Sequence, residues 1–294
     1  MLSTQNSTYA GSAAGSSWPW LTSAETAWLA TESCQSFKVL FYHEFAEIPI
    51  RSSTCSMSDD SPELLVVMPV FNESASVRKV VNEWFTELEN WTGKFVFLVI
   101  NDGSTDGTDA ILQQLRGKFG ERLEVIEREN RGHGQSCLQG YRIAIDRGIP
   151  YIFQLDSDGQ CDPQYFFRFW RNRDKFDVIY GVRRRRDDGW RRVIASMVLR
   201  LTLLGFAHAN CPDANVPYRL MRTAACADSI NRIHAQFFLA NVGLAVLLRH
   251  QPGVRQGLVT IRFRERYGGE PSVPLAKFAT RAVEMVRQLR DLLH

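Results

Sequence analysis

Residues 151–163 read "YIFQLDSDGQCDP", an apolar run that ends on two carboxylates, Asp156 and Asp158. Side chains at i and i+2 of an extended chain point the same way. The two carboxylates therefore converge, with Gln160 close behind the turn at Gly159. Two hard oxygen donors and an amide suit Mg²⁺ or Mn²⁺, ions that keep positions open for water and substrate phosphates. The plainer alternative is a surface turn whose aspartates cap a helix.

Three other polar clusters follow apolar runs: "FNES" at 71–74, "NDGSTDGT" at 101–108 and "ENRGHGQS" at 129–136. The second sets Asp102 at a strand end, then a tight turn at Gly103 and a helix start between Thr105 and Thr108, suited to hydrogen-bond acceptors or anions. The third carries Gly132 and Gly134, which let backbone approach a ligand closely. Neither a GxxxxGK[ST] loop nor a GxGxxG turn is present, which disfavours P-loop and dinucleotide-binding chemistry. His133, beside the glycines, has no metal-ligand spacing and reads as a loop residue.

The elements around these clusters alternate. "ELLVVMPV" is a strand, and "SASVRKVVNEWFTEL" a helix with Val77, Val80, Val81, Trp84, Phe85 and Leu88 on one stripe. "KFVFLVIN" is a second strand, followed by a helix through Ile111, Leu115 and Phe119. "LEVIE" is a third strand, "GQSCLQGYRIAIDRG" a helix ending at Gly148, and "YIFQLD" and "FDVIYGV" are strands four and five. Apolar strands separated by helices predict an α/β fold: a mostly parallel sheet covered by helices on both faces, with ligands bound beyond the strands' carboxyl ends. All four polar clusters fall at those ends.

With 294 residues the chain can bury a sizeable core, and a net charge of +3 is too balanced to imply nucleic acid as main partner. Residues 1–60 read as an N-terminal extension and linker, and 61–294 as the folded domain. The six scattered cysteines form no CxxC pair or compact framework, and the opening residues lack a basic segment followed by an apolar one. The expectation is a cytoplasmic protein with reduced thiols. The apolar stretches 195–207 and 237–248 are too short to span a membrane and read as buried or interfacial helices.

Taken in order, "VVMPVFNES", "VINDGSTDGT", "ENRGHGQSCLQGYRIA" and "YIFQLDSDGQCDP" resemble the inverting glycosyltransferases of family two, most of all their dolichol-phosphate mannose synthase branch. The resemblance covers roughly residues 63–290 and is strongest before 182. It implies the GT-A fold, a nucleotide-sugar donor linked to UDP or GDP, and a nucleotide pocket containing Pro69, Phe71, Glu73, Asp102 and Gly132. It also implies a divalent ion held across the diphosphate by Asp156, Asp158 and Gln160.

The second half carries the acceptor side. "PDANVPYRLMR" resembles the family's Asp-x-x-Ser-Gly-Phe-Arg segment through Asp213, Tyr218 and Arg219, with Val216 and Pro217 in place of Ser and Gly. "RFRERYGGEPS" resembles its Arg-x-x-Gly-Glu-Ser-Lys segment through Arg266, Gly269 and Glu270, while Pro271 and Ser272 replace Ser and Lys. Alternation places Arg264 and Arg266 on one strand face, where guanidinium forks suit phosphates; the bland alternative is an exposed strand face. The run Arg183–Arg186 with Arg191 and Arg192 before an apolar helix suits either an anionic membrane surface or a solvated loop.

The expected activity is transfer of one sugar to a polyprenyl phosphate at the inner face of a membrane, with Asp158, Asp213 and Arg266 as catalytic candidates. A phosphate acceptor is already anionic near neutral pH and needs no strong base. A hydroxyl acceptor would need one, and Asp213 is then the candidate. A non-catalytic nucleotide-sugar-binding protein is the alternative from another class.

Overall fold

The computed structural model describes residues 61–183, most of 203–268, and 287–293. Seven strands, β1 (Leu64–Val70), β2 (Phe95–Asn101), β3 (Leu123–Glu127), β4 (Tyr151–Gln154), β5 (Val178–Arg183), β6 (Arg219–Arg222) and β7 (Gln256–Ile261), form one sheet in the order β3-β2-β1-β4-β6-β5-β7. β1 pairs in parallel with both β2 and β4, and β2 with β3. β6 runs antiparallel to β4 and β5, and β5 pairs in parallel with β7. All seven residues of β1 are buried, which requires cover on both faces.

That cover comes from helices α1 (Val77–Glu89), α2 (Thr108–Phe119), α3 (His133–Asp146), α4 (Phe166–Trp170), α5 (Thr223–Arg232) and α6 (Ala240–His250). α1 and α2 touch each other, whereas α3, α5 and α6 form a second group. The buried residues of α1 are the six read from its period: Val77, Val80, Val81, Trp84, Phe85 and Leu88. Trp84 meets Phe153 of β4, Phe166 of α4 and Tyr218 at ring-centroid distances of 5.5, 6.5 and 5.9 Å, so one aromatic cluster joins helix, sheet and the entry to β6.

α3 lies close enough on β1 that a Cβ on Gly140 would come within 2.4 Å of a Val67 methyl. It ends near Gly148, whose φ of +64° closes the helix as expected. α6 is buried from Ala240 to Leu248, matching the short apolar stretch read as a buried helix. The sequence reading did not identify β6, β7 or the turn of helix at 166–170. The expected strand through Arg264 and Arg266 is not formed: β7 ends at Ile261, and residues 262–267 follow without strand pairing.

From β1 the chain proceeds outward through β2 to β3, then returns to the other side of β1 as β4. The crevice between the carboxyl ends of β1 and β4 is therefore the topological switch point of the sheet. Among the described residues no helix is long and apolar enough to cross a membrane, and the four described cysteines, Cys137, Cys161, Cys211 and Cys226, are buried. The N-terminal extension, Cys34, Cys55, Arg184–Arg186, Arg191, Arg192, Asp213, Gly269 and Glu270 lie outside the described residues.

Candidate active site

A cleft of about 270 Å³ opens at the switch point. Its walls include Pro69, Phe71 and Glu73 after β1, Asp102 after β2, Gly132 and His133 at the start of α3, Asp156 and Asp158 after β4, and Arg266. Eight of the ten residues singled out for the site thus meet on one cleft. Of the other two, Asp213 is outside the described residues, and the Gln160 side chain is not on the cleft wall. Gln160 instead donates its amide to the Arg264 carbonyl at 3.4 Å, and its backbone N–H donates to Asp158 Oδ1 at 3.0 Å.

The loops that carry these residues are tied to one another. Asn72, with a φ of +54°, accepts from the Thr105 N–H at 2.8 Å, and its own N–H donates to Ser104 Oγ at 2.9 Å. Asp106 accepts from the Ser74 N–H at 3.0 Å, so "FNES" and "NDGSTDGT" form one rigid rim. Asp102 is almost wholly buried and braces the next loop. Its carboxylate accepts from the N–H groups of Arg131 and Gly132 at 3.0 and 2.7 Å and from Arg128 Nε at 2.8 Å. With Arg128 Nη2 2.6 Å from Oδ1 as well, its oxygens are largely occupied within the protein. Gly132 takes a φ of +94° where that loop turns into α3, which suits the absence of a Cβ.

Charges alternate across the cleft. His133 Nε2 lies 2.9 Å from Asp156 Oδ1. Burial opposes a charge on His133, but Cys137 and Asp156 outweigh it and hold the imidazole well above the ordinary histidine range. The ring is half exposed, so water screens part of that pairing. Asp156 also accepts from Gln154 Nε2 at 3.4 Å, and Gln154 is backed by Tyr141, whose hydroxyl donates to Asn241 at 2.9 Å. Arg266 pairs with Glu73 through Nη2 and stands 3.7 Å from Asp158 Oδ2 through Nη1. Burial pushes the Glu73 carboxyl above the usual range; the Ser76 hydrogen bond and Arg266 work against that, while Asp158 and Asp156 add to it.

Mg²⁺ and Mn²⁺ commonly take one or two carboxylates from a protein and the remaining ligands from water and substrate phosphates. Asp156 and Asp158 present that donor chemistry from a single turn. Among the described residues no group of three or more His, Cys, Asp and Glu side chains is gathered to cage an ion outright. The residues present therefore fit a metal shared with a phosphate-bearing ligand.

The family model described as glycosyl transferase family 2 matches residues 65–229, more than half of the chain and every strand end that lines the cleft except the segment carrying Arg266. The chain belongs to glycosyl transferase family 2. Among curated relatives, the dodecaprenyl-phosphate galacturonate synthase of Rhizobium johnstonii is 30% identical over 48% of this chain and 41% of its own length. The uncharacterized glycosyltransferase YkcC of Bacillus subtilis is 26% identical over 72% of this chain and 64% of its own length. The chain thus spans less than two thirds of either relative.

Among solved structures, glucosyl-3-phosphoglycerate synthase of Mycobacterium tuberculosis, in complex with Mn²⁺, UDP and glucosyl-3-phosphoglycerate, superposes with a TM-score of 0.57 at 14% identity, covering 79% of this chain and 80% of that one. Mannosyl-3-phosphoglycerate synthase of Rubrobacter xylanophilus gives a TM-score of 0.55 at 15% identity, covering 78% and 74%. The fold is accordingly that of the GT-A glycosyltransferases, as the family resemblance implied.

Within this family 2 chain, several contacts escaped the sequence reading. His133 follows Gly132 in a glycine-rich helix start, but its partner Asp156 is 23 residues away and nothing in the spacing links them. Arg264 turns from the cleft to Glu83 and the Gly159 carbonyl. Tyr218 and Arg219 are both fully buried. Tyr218 donates to the Asp162 carbonyl at 2.8 Å, and Arg219 to the carbonyls of Ala214, Val216 and Asn241. Neither residue lines the cleft.

Proposed function

We propose that this glycosyltransferase moves one sugar from a UDP- or GDP-linked donor to a polyprenyl phosphate, by an inverting single displacement that depends on Mg²⁺ or Mn²⁺. The observation that carries the reading is the meeting of Asp156, Asp158 and Arg266 on one cleft at the sheet's switch point. Asp156 and Asp158 would hold the divalent ion. When bound, the ion supplies Lewis-acid stabilisation of the charge that grows on the departing diphosphate.

The chain's own residues divide the remaining work. Pro69, Phe71 and the rim stitched by Asn72 and Ser104 receive the nucleotide, while Asp102 keeps the 128–132 loop in the shape that closes that pocket. Arg266 reaches both Glu73 and Asp158 and is suited to follow phosphate oxygens. The stakes depend on dryness: unit charges at 4 Å attract by about 1 kcal/mol in water and about 4 kcal/mol at an effective dielectric of 20. A phosphate acceptor arrives as an anion, so the reading requires no general base. The name of the Rhizobium relative supports this acceptor class, and the binding of Mn²⁺ and UDP by the mycobacterial synthase supports the donor class.

The test is a screen of nucleotide sugars with Mg²⁺ or Mn²⁺, with and without a polyprenyl phosphate, with Asp158→Asn as control. Transfer that needs both metal and lipid, and is abolished in a folded Asp158→Asn protein, is the expected result. Transfer to a soluble hydroxyl acceptor without the lipid would overturn the acceptor class, and unchanged turnover in Asp158→Asn would overturn the metal site.

A further inference from the structure

Residues 262–267 leave β7 without helical or strand pairing, yet they deliver Arg266 to the cleft, beside Glu73 and Asp158. Backbone outside regular structure must find its hydrogen bonds elsewhere, and here they come from the aspartate turn itself. The Arg264 N–H donates to the Gln160 carbonyl at 3.1 Å and the Tyr267 N–H to the Asp158 carbonyl at 3.0 Å. The side chains of Arg264 and Tyr267, on either side of Arg266 in the chain, then converge on a single carboxylate on α1. Arg264 Nη2 donates to Glu83 Oε2 at 2.7 Å, and the Tyr267 hydroxyl lies 2.9 and 3.0 Å from the two Glu83 oxygens.

Further contacts close the arrangement. Arg264 Nε donates to the Gly159 carbonyl at 3.3 Å, and Lys79 Nζ sits 3.7 Å above the centre of the Tyr267 ring. The ring lies directly on Gly159, where an added Cβ would come within 2.3 Å of it, and the φ of +83° at that glycine disfavours a side chain as well. Gly159 therefore both turns the chain between Asp158 and Gln160 and leaves room for the ring.

We propose that Glu83, Arg264 and Tyr267 form a clasp that ties residues 262–268 to α1 and to the aspartate turn. Its task is to position Arg266 for the donor's diphosphate, a task that rests on the donor-site reading above. Arg266 carries a long side chain with much rotamer freedom to lose. With its backbone gripped on both sides and its Nε donating to the Gly268 carbonyl at 2.8 Å, that freedom is restricted before a ligand arrives. Tyr267 and Arg264 are thus positioning residues that act through Arg266.

The test uses the full chain with Tyr267→Phe, which keeps the ring on Gly159 but deletes the hydroxyl held by Glu83, together with Glu83→Gln, Arg266→Ala and the Tyr267→Phe/Arg266→Ala double variant. Without ligand, amide hydrogen exchange across 262–268 should quicken about tenfold in Tyr267→Phe and Glu83→Gln while the β1 and β2 amides keep their protection. With UDP or GDP and Mn²⁺ as probes, Tyr267→Phe should weaken nucleotide binding about three- to tenfold in the unaltered background and not further in Arg266→Ala.

Unchanged exchange across 262–268 overturns the clasp, whatever the protein binds. Quickened exchange with additive losses in the double variant overturns the positioning of Arg266. Failure of the unaltered protein to bind either nucleotide overturns the donor-site reading and with it Arg266's task, while the exchange result still upholds or overturns the clasp.

Discussion

Asp102 invites a substitution that separates bracing from ligand reading. Its carboxylate is about 3% exposed and its partner Arg128 about 12%, so Asp102→Asn removes one member of a largely desolvated pair. The asparagine keeps one acceptor oxygen but turns an NH₂ group toward the rest of a donor set made of Arg128, Arg131 N–H and Gly132 N–H. Removing one partner of such a pair costs roughly 3–5 kcal/mol, because the remaining charge stays buried without compensation. At about 2–4 °C per kcal/mol for a domain of this size, Asp102→Asn should lower the melting temperature by roughly 6–20 °C.

The assay is thermal unfolding by circular dichroism without any nucleotide. Adding Arg128→Gln should restore part of the loss, since the second change deletes the orphaned guanidinium. A melting temperature that moves by less than about 2 °C, in a protein whose nucleotide affinity collapses, would refute the brace. Asp102 would then be a carboxylate that reads the ligand.

Two further perturbations probe the frame. Arg255 hydrogen bonds hold Asp177 down to about 2, below its ordinary 3.8. Its stabilisation is present above the ordinary value and is lost as pH falls through that interval. Arg255 is half exposed, so water screens part of that linkage. Urea denaturation from pH 5 to pH 2 should show a shallower acid loss in Asp177→Asn, and identical slopes would refute the assignment. Gly140→Ala would force a Cβ to within 2.4 Å of a Val67 methyl. It should cost about 1–3 kcal/mol despite alanine's better helix propensity, with Val67→Ala relieving the clash in the double variant; additivity of the two losses in denaturant titrations would rule the clash out.

What was legible in the sequence followed from period and position. The stripe on α1 matched the buried set residue for residue because a helix packed on one sheet face leaves a 3.6-residue signature. The four polar strand ends reached one cleft because parallel strands with right-handed crossovers send their carboxyl ends the same way. β6 was illegible for a specific reason. "RLMR" is a four-residue strand with arginine at both ends, and its Arg219 is fully buried, with its guanidinium spent on backbone carbonyls. No alternation of polar and apolar residues announces such a strand. β7 is an edge strand with Leu258 half exposed, so its pattern also lacks contrast. Pairings across the cleft were beyond reach for a different reason: Glu73 and Arg266 are 193 residues apart, and only the folded sheet sets their register.

The stretch "DSDGQCDP" shows how the capping reading and the chemical reading divide between neighbours. Asp162 is a cap: its carboxylate accepts from the Gln164 N–H at 3.1 Å and begins a short 3₁₀ turn at Pro163. Asp158 serves both ends, since one oxygen accepts from the Gln160 N–H at 3.0 Å and the other faces Arg266 at 3.7 Å. Asp156 is held by the side chains of His133 and Gln154, on a cleft wall rather than over a helix start. A carboxylate kept partly desolvated for turn geometry alone would be expected to spend its oxygens on backbone N–H groups, as Asp162 does. Asp156 departs from that economy most, since the groups that hold it, His133 and Gln154, are side chains rather than backbone N–H groups.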